Sequence, residues 1–176
     1  LLAALKREGV PFDKLVEAGL VIQPEERGRE PYDRFRGRVM FTINDRRGRA
    51  IAFGGRVMGQ GEPKYLNSPE TPLFHKGRVL YNHHRARKAV HDAGTVVAVE
   101  GYVDVIAMAR AGIAHAVAPL GTALTEDQLG LLWRLADEPI LCFDGDKAGK
   151  RAAFRAIDVA FPLLQAGKSL RFALLP

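Results

Sequence analysis

The chain has a single cysteine, Cys142, and it sits inside an apolar run. No disulfide can form within the chain, and a reducing compartment is the natural setting. One cysteine and five scattered histidines, at 75, 83, 84, 91 and 115, give none of the spacing of a structural zinc site. No apolar run approaches the roughly 20 residues of a membrane span. The opening LLAALKREGV runs at once into charge and lacks a cleavage pattern, so it reads as a helix entered partway rather than a signal peptide. The chain is therefore expected to be a fragment of a longer protein. Internal repeats and low-complexity tracts are lacking too.

Acidic residues are scarce in the front half. Residues 1–93 hold 18 Lys and Arg against 11 Asp and Glu, and residues 94–176 hold 8 against 9. A basic front and a near-neutral back with clustered acids suggest a polyanion partner and a metal site. A solvated basic surface is the plain alternative. With 176 residues and 47% hydrophobic content, the chain can bury one sizeable core, or one core and a smaller companion.

The back half reads as alternating strands and helices. Short apolar runs at Thr95–Val99, His115–Ala118, Pro139–Phe143 and Leu170–Leu175 are predicted strands. Helices are predicted over Tyr102–Ala111, from the capping box Thr125/Gln128 to about Ala136, and from Lys147 to about Gln165, ending or kinking near Pro162. This alternation predicts an α/β fold with a mainly parallel sheet covered on both faces.

The front half differs. A short helix is predicted over Pro11–Leu20, then a charged loop, RGREPYDRFRG. A β-hairpin follows over Arg36–Met58. Its apolar face is expected to carry Val39, Phe41, Ile43, Ile51, Phe53 and Val57, and its basic face Arg36, Arg38 and Arg56. The stretch from GQGEPKYLNS to FHKG reads as a long functional loop. Residues 1–93 are thus expected to form an α+β subdomain and residues 94–176 a second domain.

Acids punctuate the ends of the predicted parallel strands. The first ends in Glu100-Gly101 and the third in Asp144-Gly145-Asp146. Ligands of open α/β sheets bind beyond the carboxyl ends of the strands. Asp104 lies on the first turn of the next helix, leaning to the same edge. Two carboxylates separated by one glycine repel each other, and a cation beside them removes that cost. Oxygen-only ligands favour Mg²⁺ or Mn²⁺ over zinc. Each acid also has a plainer explanation. Asp104 suits the helix dipole and Asp146 suits a helix N-cap, whereas Glu100, directly after VVAV, has no such account.

VVAVEGYVDVIAMARAGI, LGTALT and CFDGDKAGKRAA together resemble the Toprim domain. DRFRGRVMFTI, GRAIAFGGRVM and PKYLNSPETPLFHKGRVLY resemble the RNA-polymerase core of bacterial DNA primases. The resemblance covers nearly the whole chain. It implies metal-dependent nucleotidyl transfer, with Glu100, Asp144 and Asp146 as catalytic carboxylates and Asp104 beside them as a further metal ligand. It implies Mg²⁺ or Mn²⁺ as cofactor, with zinc only in a separate N-terminal module absent from this chain. The implied partners are a single-stranded DNA template, ribonucleoside triphosphates and, through a C-terminal domain absent here, the replicative helicase. No membrane is implied, and the implied location is the bacterial cytoplasm, at the replisome.

In the family a second Asp-x-Asp follows the strand matching LRFALLP, and this chain stops at Pro176. The isolated fragment is therefore expected to synthesise little primer. Thr42 stands where the family usually has proline. The resemblance also places Arg34, Arg36, Arg38, Arg56, Lys64, Tyr65, Asn67 and Lys76 on template and nucleotide. Core packing is the competing explanation for Tyr65 and the favoured one for Phe74. A solvated turn is expected for Arg46 and Arg47, and His75 has no evident role. Two other readings stand beside this one: a Toprim nuclease or topoisomerase, and a non-catalytic single-strand-binding module. The four tyrosines lack a recognisable nucleophile setting.

Overall fold

The computed structural model describes residues 1–26, 28–121 and 123–176; Arg27 of the charged loop and Thr122 of LGTALT lie outside the described residues. The chain divides into two units. One comprises Leu1–Ile43 and Ala50–His75; the other comprises Asn44–Arg49 and Lys76–Pro176.

In the first unit, helices α1 (Leu2–Arg7) and α2 (Phe12–Glu17) precede a small antiparallel pair, β1 (Val21–Ile22) with β2 (Tyr32–Asp33). Asp33 ties the chain start down: its carboxylate accepts hydrogen bonds from the Leu1 amine at 2.7 Å and the Leu2 N–H at 2.8 Å. Strands β3 (Arg38–Asn44), β4 (Ala50–Val57) and β5 (Tyr65–Asn67) form a sheet in that order.

The hairpin is as expected, but its faces are not. Phe41 and Ile43 are buried, while Val39 is 50% exposed. On β4 the buried positions are Ala52, Gly54 and Gly55, with Ile51, Phe53 and Val57 only half-buried. Ala52 and Gly54 share a face with Arg56, and at Gly55, on the other face, the missing side chain lets Phe35 and Arg38 approach closely. Part of the segment read as a loop is a strand. Tyr65, Leu66 and Asn67 pair antiparallel with Arg56, Gly55 and Gly54, and Ser68 bonds Phe53 through both its N–H (2.8 Å) and its Oγ (3.0 Å).

The second unit begins with β6 (Leu80–Tyr81) and α3 (His83–Ala93). It continues through β7 (Val97–Ala98), α4 (Tyr102–Arg110), β8 (Ala116–Pro119), α5 (Glu126–Leu135), β9 (Ile140–Asp144), α6 (Lys147–Ala160) and β10 (Arg171–Leu175). The strand order is β10-β9-β7-β8-β6. The four strands anticipated from sequence run parallel, and β6 adds an antiparallel edge beside β8. This is the expected mixed α/β fold with a mainly parallel sheet flanked by helices.

Alternate residues of the central strands face opposite layers. Val96, Ala98, Val117 and Leu141 pack with Leu132 and Ala156 on one side; Val97, Val99, Ala116 and Cys142 pack with Val105 on the other. Each fully buried Leu or Val contributes roughly 1.5–3 kcal/mol over its exposed state. Only β10 departs from the expectation of two covered faces. It is an edge strand, with Phe172, Leu174 and Leu175 at 39%, 50% and 43% exposure. Helix α6 ends at Ala160 and passes into a 3-10 turn, Phe161–Leu163, because Pro162 has no N–H to continue the ladder. Among the described residues no helix is long and apolar enough to cross a membrane.

Candidate active site

Strands β7 and β9 are parallel neighbours, so Glu100 and Asp144 leave the sheet at one edge. A Glu100 carboxylate oxygen accepts a hydrogen bond from the Asp144 N–H at 3.1 Å. The backbone is crowded there. A Cβ on Gly145 would strike the Leu175 carbonyl oxygen, and one on Gly149 would strike that of Asp144. Glycine at both positions lets α6 start directly against the end of β9.

Asp146 is the N-cap of α6, and its Oδ1 accepts the Gly149 N–H at 2.7 Å. The plainer explanation of Asp146 therefore holds for one of its oxygens. Asp104 sits in the first turn of α4, with Oδ2 3.5 Å from where a Gly101 Cβ would lie, so it leans toward the same edge. Beneath them, burial pushes the Cys142 thiol above its ordinary pKa, and the charges of Asp144, Asp104 and Glu100 push it further in the same direction.

The carboxylates share an edge but not a ready coordination shell. Among the described residues, no three His, Cys, Asp or Glu side chains are grouped as a metal site. Glu100 is turned to the Asp144 N–H, Asp146 to its cap and Asp104 toward Gly101. The donor chemistry, oxygen only, nonetheless suits a hard divalent cation. Beside this edge lies a cavity of about 270 Å³, lined by Glu100, Pro119, Leu124, Phe143 and Arg155 among others. Arg155, on α6, was not anticipated. It stands three residues after Ala152, which lines the same cavity. That helical spacing was its only signal in the sequence.

Gln128 fixes the segment that carries Lys76. It is fully buried, and its side-chain nitrogen donates to the carbonyls of Lys76 (2.9 Å), Leu120 (3.0 Å) and Val79 (3.2 Å). Its oxygen accepts the Thr125 N–H at 3.1 Å, completing the predicted capping box.

In the first unit the candidate binding residues have varied roles. The Arg36 guanidinium lies over the Tyr32 ring at 4.6 Å and that of Arg56 over the Tyr65 ring at 5.8 Å, both cation–π contacts. Tyr65 is 42% exposed, so core packing does not account for it, whereas Phe74 is fully buried, as expected. Arg38 is tied to the sheet: its guanidinium donates to the carbonyls of Pro63 (2.8 Å) and Gly55 (3.3 Å). The Arg34 Nε is buried, and its backbone N–H bonds the Leu20 carbonyl at 2.9 Å. Lys64, just before β5, is exposed, and Asn67, its last residue, is half-buried. Lys76 belongs to the second unit, in the 3-10 turn Lys76–Arg78. His75 pairs with Glu70 at 2.9 Å.

Residues 1–87 match the N-terminal domain of the DNA primase catalytic core, and residues 94–173 match the Toprim domain. The chain belongs to the DNA primase catalytic-core family. It is 51% identical to a DNA primase of Pseudomonas aeruginosa over 176 residues, all of this chain and 26% of that protein. It is 51% identical to one from Escherichia coli K12 over 162 residues, 92% of this chain and 28% of that one. The chain thus spans about a quarter of the length of these primases. Among solved structures, a primase domain from Pseudomonas aeruginosa superposes with a TM-score of 0.91 at 51% identity, covering 98% of this chain and 54% of that one. A DnaG primase catalytic domain bound to single-stranded DNA superposes with a TM-score of 0.87 at 48% identity, with the same coverages. Toprim and primase families generally use divalent metals.

Proposed function

We propose that this chain is the catalytic part of a primase that joins ribonucleotides on single-stranded DNA and releases pyrophosphate. The observation that carries the reading is the pairing of Glu100 with Asp144 at the parallel-strand edge, in a chain whose two halves both match primase catalytic-core modules. A solved structure of the same fold is a DnaG primase catalytic domain bound to single-stranded DNA. On this reading residues 1–93 form the basic, template-handling part and residues 94–176 the catalytic Toprim part, working in the bacterial cytoplasm. A zinc module and a helicase-binding domain belong to other parts of such a protein.

Glu100, Asp144 and Asp146, with Asp104 beside them, would hold Mg²⁺ or Mn²⁺. Bound there, the cation supplies neutralising charge to the triphosphate and eases deprotonation of the attacking 3′-hydroxyl. The protein's own part is positioning and charge. Glu100 is placed to orient the end of β9 through the Asp144 N–H, and the free oxygen of Asp146 stays available beyond its cap. Arg155 brings positive charge to the cavity beside Glu100, suited to a phosphate. Lys64, Lys76, Arg34, Arg36 and Arg56 would neutralise template or nucleotide phosphates, and Tyr65 and Asn67 would contact base and sugar. Arg38 would act on the strand-bearing loop rather than on nucleic acid.

Tyr102, next to the acidic edge, does not suit the nucleophile that a topoisomerase needs. Burial pushes the Tyr102 phenol well above its ordinary pKa, and Tyr102 lies edge-to-face on Tyr81 at 4.7 Å. The reading is tested by following labelled ribonucleotide incorporation on a single-stranded template by the primase that carries this chain. RNA product that requires divalent metal and disappears with EDTA supports it; nicking or relaxation of DNA without RNA product refutes it.

A further inference from the structure

The parallel sheet has a second edge, at the amino ends of its strands, opposite Glu100 and Asp144. There Asn82 donates to the Ala116 carbonyl at 2.9 Å, which sets the start of α3 beside the start of β8. The turn between β3 and β4 sits on α3. Gly48 has φ +85° and lies against the His84 ring, 3.1 Å from where a Cβ would be, so any side chain there would be strained. Asn44 braces the turn through the Gly48 carbonyl at 2.9 Å.

This packing leaves a cavity of about 350 Å³ lined by Arg46, Arg47, His83, Arg87, Arg134 and Leu135. Its lining holds four guanidinium groups and no carboxylate. Asp45, the nearby acid of the turn, is engaged by Arg49 at 2.7 Å and by the N–H groups of Arg47 (2.8 Å) and Arg49 (2.9 Å). None of the four lining arginines has an ion-pair partner among the described residues. His83 is only 8% exposed, and its Nδ1 is buried without a hydrogen-bond partner among the described residues. An unpaired buried polar atom ringed by like charges is costly, and an anion removes both costs together. Arginine forks bind phosphate oxygens in pairs. A single phosphomonoester brings only about 1.5 to 2 negative charges, less than four arginines supply.

We propose that this cavity is a binding site for a polyphosphate anion of the di- or triphosphate class, free or as the tail of a nucleotide. The arginines take the phosphate oxygens, and His83 takes the one that reaches deepest. The site does not depend on the reading of the acidic edge and lies across the sheet from it.

The test is calorimetric titration of this chain with sodium tripolyphosphate, ATP and AMP in EDTA, so that no metal at the carboxylate edge can hold a phosphate. Saturable one-to-one binding of tripolyphosphate and ATP is expected, with AMP at least about tenfold weaker. The double variant Arg46→Ala/Arg134→Ala should weaken tripolyphosphate about tenfold or more, while Arg85→Ala, exposed on the same helix as His83 but outside the lining, should not. These arginines are exposed, so the variants are expected to fold. Tripolyphosphate bound without ATP identifies the free anion, and equal binding of both identifies the nucleotide tail as sufficient. No saturable binding overturns the proposal. So does equal weakening by all variants, or binding only of a single-stranded oligonucleotide that needs Arg46 and Arg134.

Discussion

The side chain of Glu100 accepts the backbone N–H of Asp144 across 44 residues of sequence, at 3.1 Å. One carboxylate thus sets where the other emerges. Glu100→Gln keeps an oxygen at this position and removes the charge. It is expected to leave thermal stability near wild type while lowering ribonucleotide incorporation by the parent primase by about 10²-fold or more. Glu100→Ala should lower both. Calorimetry beside the incorporation assay separates the two effects. Full activity in Glu100→Gln would remove Glu100 from the chemistry.

Asp146 combines a cap with a proposed ligand. Asp146→Asn retains the cap oxygen to Gly149 and loses the charge, and asparagine caps as well as aspartate. It is expected to keep stability within a few tenths of a kcal/mol and to bind Mn²⁺ more weakly in a paramagnetic-resonance titration. Asp146→Ala should cost about 1 kcal/mol as well. If Mn²⁺ affinity is unchanged in both, Asp146 is a cap alone.

Single-strand binding should fall with salt. Arg36→Ala and Lys64→Ala are each expected to flatten the log–log slope by roughly 0.7, one phosphate's worth. Arg47→Ala, and Arg38→Ala with its guanidinium on backbone carbonyls, should leave the slope unchanged. Fluorescence anisotropy of a labelled oligonucleotide measures this. Equal effects from all four would mean diffuse surface charge.

His83 makes stability depend on pH. Burial first, then Arg46, Arg87, Arg134 and His84, lowers its pKa from 6.5 to about 4. Between these values the unfolded chain binds a proton that the folded chain does not, so stability falls as pH drops from about 6.5 to about 4. His83→Gln is expected to lose this part of the decline, so that denaturation midpoints of wild type and variant diverge in the variant's favour over that range. Parallel curves would show that the fold does not lower the pKa of His83.

The parallel core was legible because Thr95–Val99, His115–Ala118 and Pro139–Phe143 are apolar runs bounded by helices with clear caps. The pieces that escaped are short or polar. Strands β5 and β6, of three and two residues, are too brief to show alternation. Helix α3 buries only His83, Ala86 and Val90, a helical spacing hidden by its basic surface. The shared edge of Glu100 and Asp144 was legible because strand ends announce themselves. The tie from Glu100 to Asp144, the Arg155 wall and the cavity at Arg46 and Arg134 were not, because each joins residues distant in sequence.

The most direct test of the catalytic account is anomalous diffraction from crystals of this chain soaked in Mn²⁺. The expected result is a peak at the edge carrying Glu100, Asp144 and Asp146, beside Asp104, and its loss in Asp144→Asn. A peak elsewhere, or none at high millimolar Mn²⁺, would contradict the assignment of these carboxylates to metal-dependent primer synthesis.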